Sequence, residues 1–193
     1  MRRPSGLVVM VPAAEPLVGA WRDRLDPSAR LGIPAHVTVL YPFVPADDID
    51  QGVVDRAAAV VAGRPAFTYS LSAVGWFGEE VVYLVPEPAD AFVGLTTVLA
   101  EAFPGCPPYG GVHDDVVPHL TVGDGAPVDD LSAAAGAVAA GLPVSDRAEE
   151  VCLMVRSRAP RAWAVRDRLP LGGRSPSLPW WSDFGGNGRR ERT

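Results

Sequence analysis

"PAHVTVLYPF", residues 34–43, places a histidine two positions before a threonine inside an apolar run, and "VPHLTVGDG", residues 117–125, repeats the device. The chain has three histidines and six threonines in 193 residues, so two of the three histidines carry threonine at +2. Proline stands one or two places upstream of each. Alternate side chains share a face of a strand. His36, Thr38 and Leu40 are therefore expected on one side, with Val37, Val39 and Tyr41 on the other. In the second copy His119 and Thr121 share one face, Leu120 and Val122 the opposite one.

Working outward, the two motifs sit in similar surroundings. Leu7–Val11 reads as a β-branched strand, residues 15–25 as a helix by apolar spacing, and His36–Leu40 as a strand. Asp47, Asp48 and Asp50 open a helix running to Val61, and Phe67–Val74 alternates as a half-buried strand. The order then restarts, with a strand at Val81–Val85, a helix at 88–103 and a strand at His119–Val122. A helix at 128–140 and a strand at Glu150–Arg156 follow. A closing strand spans 162–171 and ends at Gly172-Gly173. The expected domain is residues 1–173, built from approximate repeats 7–75 and 81–156, with 174–193 as a flexible tail on which Trp180 and Trp181 could fold back.

Composition narrows the chemistry. A 20.3 kDa chain with 48% hydrophobic and 21% charged residues can bury a sizeable core. The net charge of −6 argues against broad binding along a nucleic-acid backbone, though not against one small phosphate group. The charge is uneven: residues 146–193 hold ten arginines against six acids, the first 145 seven arginines against seventeen acids. All seventeen basic side chains are arginine. Without lysine there is no P-loop, no Schiff base and no lysyl-nucleotide ligase chemistry. Cys106 and Cys152 stand apart and fit reduced thiols in a cytoplasmic protein. The apolar run after Arg3 is too short for a signal peptide, and no stretch is long enough to span a membrane.

Paired motifs of this kind suit phosphodiester chemistry. If the halves are related by a pseudo-two-fold, two imidazoles and two hydroxyls converge on one groove. One imidazole takes a proton from an attacking oxygen and the other gives one to a leaving oxygen. The threonine hydroxyls hydrogen-bond the non-bridging oxygens. "HDDVVPH" (113–119) also offers metal ligands, but Pro118 breaks helical spacing and His119 belongs to its own motif. "GWFG" (75–78) and "PPYGG" (107–111) are glycine-flanked aromatics that either rim a groove and stack on a base or fill turns and core.

The two H-φ-T-φ motifs, the PAHVTVLYPF context and the duplicated element order resemble the two-histidine phosphoesterase superfamily, and within it the 2′-5′ RNA ligase-like proteins, over roughly residues 7–172. The resemblance implies an α+β fold, bilobal, with pseudo-two-fold duplicated antiparallel sheets, helices outside and a central groove. It implies His36, Thr38, His119 and Thr121 as catalytic residues. It also implies metal-free opening of 2′,3′-cyclic phosphates, or ATP-independent 2′-5′ joining of RNA ends. The expected partner is a nucleotide 2′,3′-cyclic phosphate or an RNA terminus, with no cofactor, no membrane and a monomeric chain. Members acting on RNA often carry arginine five places after the second histidine, where this chain has Asp124. Tyr41 holds the matching place after the first. Arg156 and Arg158, alternating onto one strand face, are substrate-binding candidates with Tyr41, or else solvated edge arginines. Two rivals stay open: a non-catalytic module that binds nucleotides or RNA ends in the same groove, and a purely structural pair of strands with both imidazoles fully buried.

Overall fold

The computed structural model describes residues 2–112, 115–157 and 163–172. Eight strands form two antiparallel sheets. Strands β1 (Ser5–Met10), β2 (His36–Leu40), β7 (Glu150–Arg156) and β8 (Trp163–Pro170) make the first, in the order β2-β1-β7-β8. Strands β3 (Phe67–Phe77), β4 (Val81–Glu87), β5 (Leu120–Asp124) and β6 (Val144–Ala148) make the second, in the order β5-β4-β3-β6. The sequence halves and the sheets do not coincide. Each half lends its last strand to the other sheet, β3 pairing with β4 and β7 with β1.

The helices cross over in the same way. Helix α1 (Glu15–Leu25), which follows β1, packs on β5 of the second sheet and on α5 (Val128–Ala139). Helix α4 (Asp90–Ala102), which follows β4, packs on β2 of the first sheet and on α3 (Gln51–Ala62). A short turn of helix, α2 (Pro27–Arg30), follows α1, with Asp26 capping it through Ser28 N–H at 2.8 Å. One core then serves both sheets. Val9, Val37 and Leu153 of the first join Leu71, Leu84 and Val122 of the second, with Phe92, Leu95 and Leu131 from the helices. Phe67, Tyr69 and Phe92 meet edge-to-face or tilted within it.

Most expected elements are present at or near the expected residues. Helix α1, β2 and β7 match at both ends, whereas the second motif's strand begins at Leu120, immediately after His119. The sequence reading contained no strand at 144–148. Its residues, VSDRA, are mostly polar because β6 is an edge strand that pairs only with β3. Arg158, His113, Asp114, Trp180, Trp181 and the segment 174–193 lie outside the described residues. Among the described residues no helix is long and apolar enough to cross a membrane.

Candidate active site

Strands β2 and β5 are each an edge strand of its sheet and lie next to one another. Val37 and Val39 point into the core, fully or almost fully buried, while His36 and Thr38 sit half-buried on the opposite face. Leu120 and Val122 are likewise buried, with His119 and Thr121 half-buried. Complete burial of both imidazoles would support the purely structural alternative; both histidines are half-buried instead.

Each strand then breaks its alternation at the same place. In β2 the register runs from Val8↔Thr38 to Leu7↔Leu40, leaving Val39 as an extra residue. In β5 it runs from Tyr83↔Thr121 to Val82↔Gly123, leaving Val122 extra. A bulge of this kind reverses which face later residues point to. The expectation of Leu40 beside His36 and Tyr41 opposite is therefore corrected: Leu40 is buried, and Tyr41, 41% exposed, turns to the His36 side. Asp124, five places after His119, is turned out in the same way. Each bulge is accommodated by a residue the sequence reading passed over. Thr96 of α4, almost fully buried, donates its hydroxyl to the Val39 carbonyl at 2.7 Å. Gly123 has no Cβ to collide with Leu131 and Leu25.

The result is a groove of about 420 Å³. His36, Thr38, Tyr41, Thr121, Asp124 and Arg156 line it together, along with Gly6, Met154 and the 26–33 segment. His119 is bounded by aromatic rings. Phe77 meets it edge-on with centroids 5.0 Å apart, and Tyr83 at 5.3 Å. Phe77 and Tyr83 stack on each other at 4.3 Å, and Tyr83 lies over Gly75, where a Cβ would collide with the ring. Of the two glycine-flanked aromatic stretches, GWFG thus reaches the site through Phe77. PPYGG touches the first motif through Tyr109 N–H to the Tyr41 carbonyl at 2.7 Å. Trp163, which sequence reasoning did not single out, pairs across the strands with Arg156 and sets its ring 6.3 Å from Tyr41, tilted by 60°. Its sequence signal was no more than its place near the start of the expected closing strand.

The two imidazoles are anchored alike. His36 Nδ1 lies 2.8 Å from the Pro34 carbonyl and His119 Nδ1 2.7 Å from the Val117 carbonyl. A carbonyl can only accept, so Nδ1 carries hydrogen in both rings and Nε2 is the atom available to a ligand. Burial lowers the pKa of both. His36 is brought to about 4, by desolvation first, then by the charge of Arg22, with the Pro34 hydrogen bond opposing. His119 is also lowered, by burial, against the Val117 bond. Asp124 is raised, by burial and then by the nearby charges of Asp26 and Glu80. Among the described residues no group of three or more histidine, cysteine or acidic side chains is arranged to hold a metal.

Comparison with known proteins bears on the family and the fold. A family model described as the 2′-5′ RNA ligase superfamily matches residues 10–160. The crystal structure of Escherichia coli LigT with 3′-AMP is similar at a TM-score of 0.55 and 19% identity, covering 89% of this chain and 99% of that one. The crystal structure of TT0787 from Thermus thermophilus is similar at 0.56 and 16% identity, covering 91% and 100%. A structure described as a phosphoesterase is similar at 0.54 and 20% identity, covering 89% and 99%. No curated protein sequence matches the chain. The match over residues 10–160, a span that contains both His-x-Thr motifs, shows that the chain belongs to the 2′-5′ RNA ligase superfamily, a branch of the two-histidine phosphoesterases.

Proposed function

We propose that this protein is a metal-independent phosphodiesterase that opens 2′,3′-cyclic phosphates with water, the alternative being 2′-5′ joining of RNA ends, in which a 5′-hydroxyl takes the place of that water. The observation that carries the reading is the matched anchoring of the imidazoles. Each Nδ1 is tied to the carbonyl two residues upstream, which leaves each Nε2 free for a ligand; His36 lines the groove, and His119 immediately precedes the strand whose Thr121 lines it. In ring opening, one imidazole takes a proton from water as its oxygen bonds to phosphorus. The other gives a proton to the ribose oxygen as the ring P–O bond breaks. The reverse direction exchanges the two roles. Thr38 and Thr121 donate to the non-bridging oxygens, where charge builds.

The groove's walls support a nucleotide ligand. Tyr41 and Trp163 form an aromatic wall for a base, and Arg156 brings a guanidinium to the same groove. LigT, whose fold is similar, has been crystallised with 3′-AMP, with ATP, with NADP+ and with phosphate. Asp124 accepts hydrogen bonds from hydroxyl or amino groups and disfavours a second phosphate at its end of the groove, which favours short cyclic phosphates over long RNA.

The test is incubation with 2′,3′-cyclic mononucleotides and cyclic-phosphate-ended oligonucleotides, with and without EDTA, read by phosphorus NMR. Ring opening that survives chelation is expected. Binding without turnover would instead identify a non-catalytic module. Activity lost to EDTA and restored by one divalent ion would overturn the metal-free mechanism.

A further inference from the structure

The two imidazoles share an anchor but not their surroundings. His119 is flanked by Phe77 and Tyr83, whereas an ion pair buried from solvent stands near His36. Arg22 and Asp26, four residues apart across the end of α1, are each 2% exposed. Arg22 donates to Asp26 Oδ2 from Nη2 at 2.7 Å and from Nε at 3.2 Å. Its Nη2 also reaches Ser28 Oγ at 3.3 Å and the Ile33 carbonyl at 3.4 Å. At the start of the same helix, Glu15 accepts from Ala35 N–H at 2.5 Å. Helix α1 thus grips the run into His36 at both Ile33 and Ala35. The next link is the Pro34 carbonyl that orients the imidazole.

Stability does not account for this pair. Burying two charges carries a large desolvation cost, and well-packed apolar residues often serve a core as well or better. Asp26 and Ser28 line the groove itself, so the pair belongs to the site's wall as much as to the core. We propose that Arg22 is the positioning residue of His36: its guanidinium braces the 33–36 segment and supplies a fixed positive charge that makes His36 the proton acceptor of the pair. A neighbouring cation disfavours the imidazolium and leaves the Nε2 lone pair free. Asp26 acts in the opposite sense and more weakly, and His119 acts in the same sense as Arg22. Arg156 and Asp124 also line the groove. His119, lowered by burial with no such cation acting on it among the described residues, is left as the donor.

This inference rests on the two-imidazole reading of the groove, but its test requires no substrate. The ring nitrogens of ¹⁵N-histidine-labelled protein are titrated by NMR in the wild type and in the Arg22→Gln and Arg22→Lys variants. Gln keeps a donor for Asp26 and the Ile33 carbonyl but removes the charge; Lys keeps the charge. His36 is expected to titrate near pH 4 in the wild type, below His119. Arg22→Gln should raise the His36 proton affinity roughly tenfold, about one pH unit, moving His119 less. Arg22→Lys should return it toward the wild-type value. Equal midpoints for the two histidines in the wild type would overturn the proposal, and that measurement stands even if a variant fails to fold. An unshifted His36 in a folded Arg22→Gln protein would overturn it too. A protein that opened no cyclic phosphate yet showed these titrations would sink the proposed function and leave this role intact.

Discussion

At the scale of single residues, the site depends on two backbone carbonyls. Pro34 and Val117 each hold an Nδ1–H and so leave Nε2 as the free nitrogen of each ring. The i−2 geometry is the same in both copies, although one carbonyl comes from a proline and the other from the residue before one. Replacing either histidine should remove a proton transfer while sparing the fold. His36→Ala and His119→Ala are each expected to lower kcat by about 10²-fold or more. Thr38→Ala and Thr121→Ala should cost about 10-fold to 10³-fold, as for one hydrogen bond to a developing charge. Losses in the double histidine variant should be far from additive, because the pair acts as a unit. Steady-state kinetics on the best cyclic phosphate, with circular dichroism to confirm folding, checks this set. Wild-type turnover in either single histidine variant would end the two-histidine mechanism.

At the scale of elements, the bulges at Val39 and Val122 do the placing. Without them Tyr41 and Asp124 would face the core and Leu40 the groove. A bulge leaves a backbone group without its ladder partner, and in β2 the Val39 carbonyl finds the Thr96 hydroxyl instead. Thr96→Val keeps the shape but removes that donor. It should destabilise the protein by about 1–3 kcal/mol, the usual cost of an unsatisfied buried acceptor. For a chain of this size that is a fall in Tm of roughly 2–12 °C, read by calorimetry. Because the same bulge presents Tyr41, KM should rise in the variant as well. An unchanged Tm would mean that the Val39 carbonyl has another partner.

At the scale of the whole molecule, the groove exists because the two halves exchange parts. Strand β7 returns to β1, and β3 pairs with β4, so neither sheet can form from one half of the chain alone. Both imidazoles are half-buried, and desolvation is the first cause lowering both pKa values. The sign follows directly. As pH rises through about 4, His36 loses its proton and becomes competent as base, so kcat/KM should climb there. As pH rises further, His119 loses the proton it must donate, and it does so below the usual histidine value of about 6.5. The profile should be bell-shaped with its maximum between those limits, on the acid side of neutrality. An optimum above pH 7 would contradict this electrostatic picture of the free enzyme.

The sequence by itself determined the local pieces. The pattern at 15–25 specified α1, the alternation HVTVL specified β2 with its histidine and threonine on one face, and the absence of lysine removed whole classes of chemistry. These are properties of nearest neighbours and of composition, so one chain suffices to read them. Tertiary structure decided everything that depends on a partner distant along the chain. Trp163 became part of the site only because β8 pairs with β7 and brings it to Tyr41. Nothing in the sequence singles out Arg22 and Asp26 at the end of the helix. Only the packing of α1 against β5 and the 33–36 segment buried them near an imidazole. The bulges were invisible for the same reason: an extra residue in a strand has no meaning until the register of its neighbour is set, and that register is a property of the folded sheet.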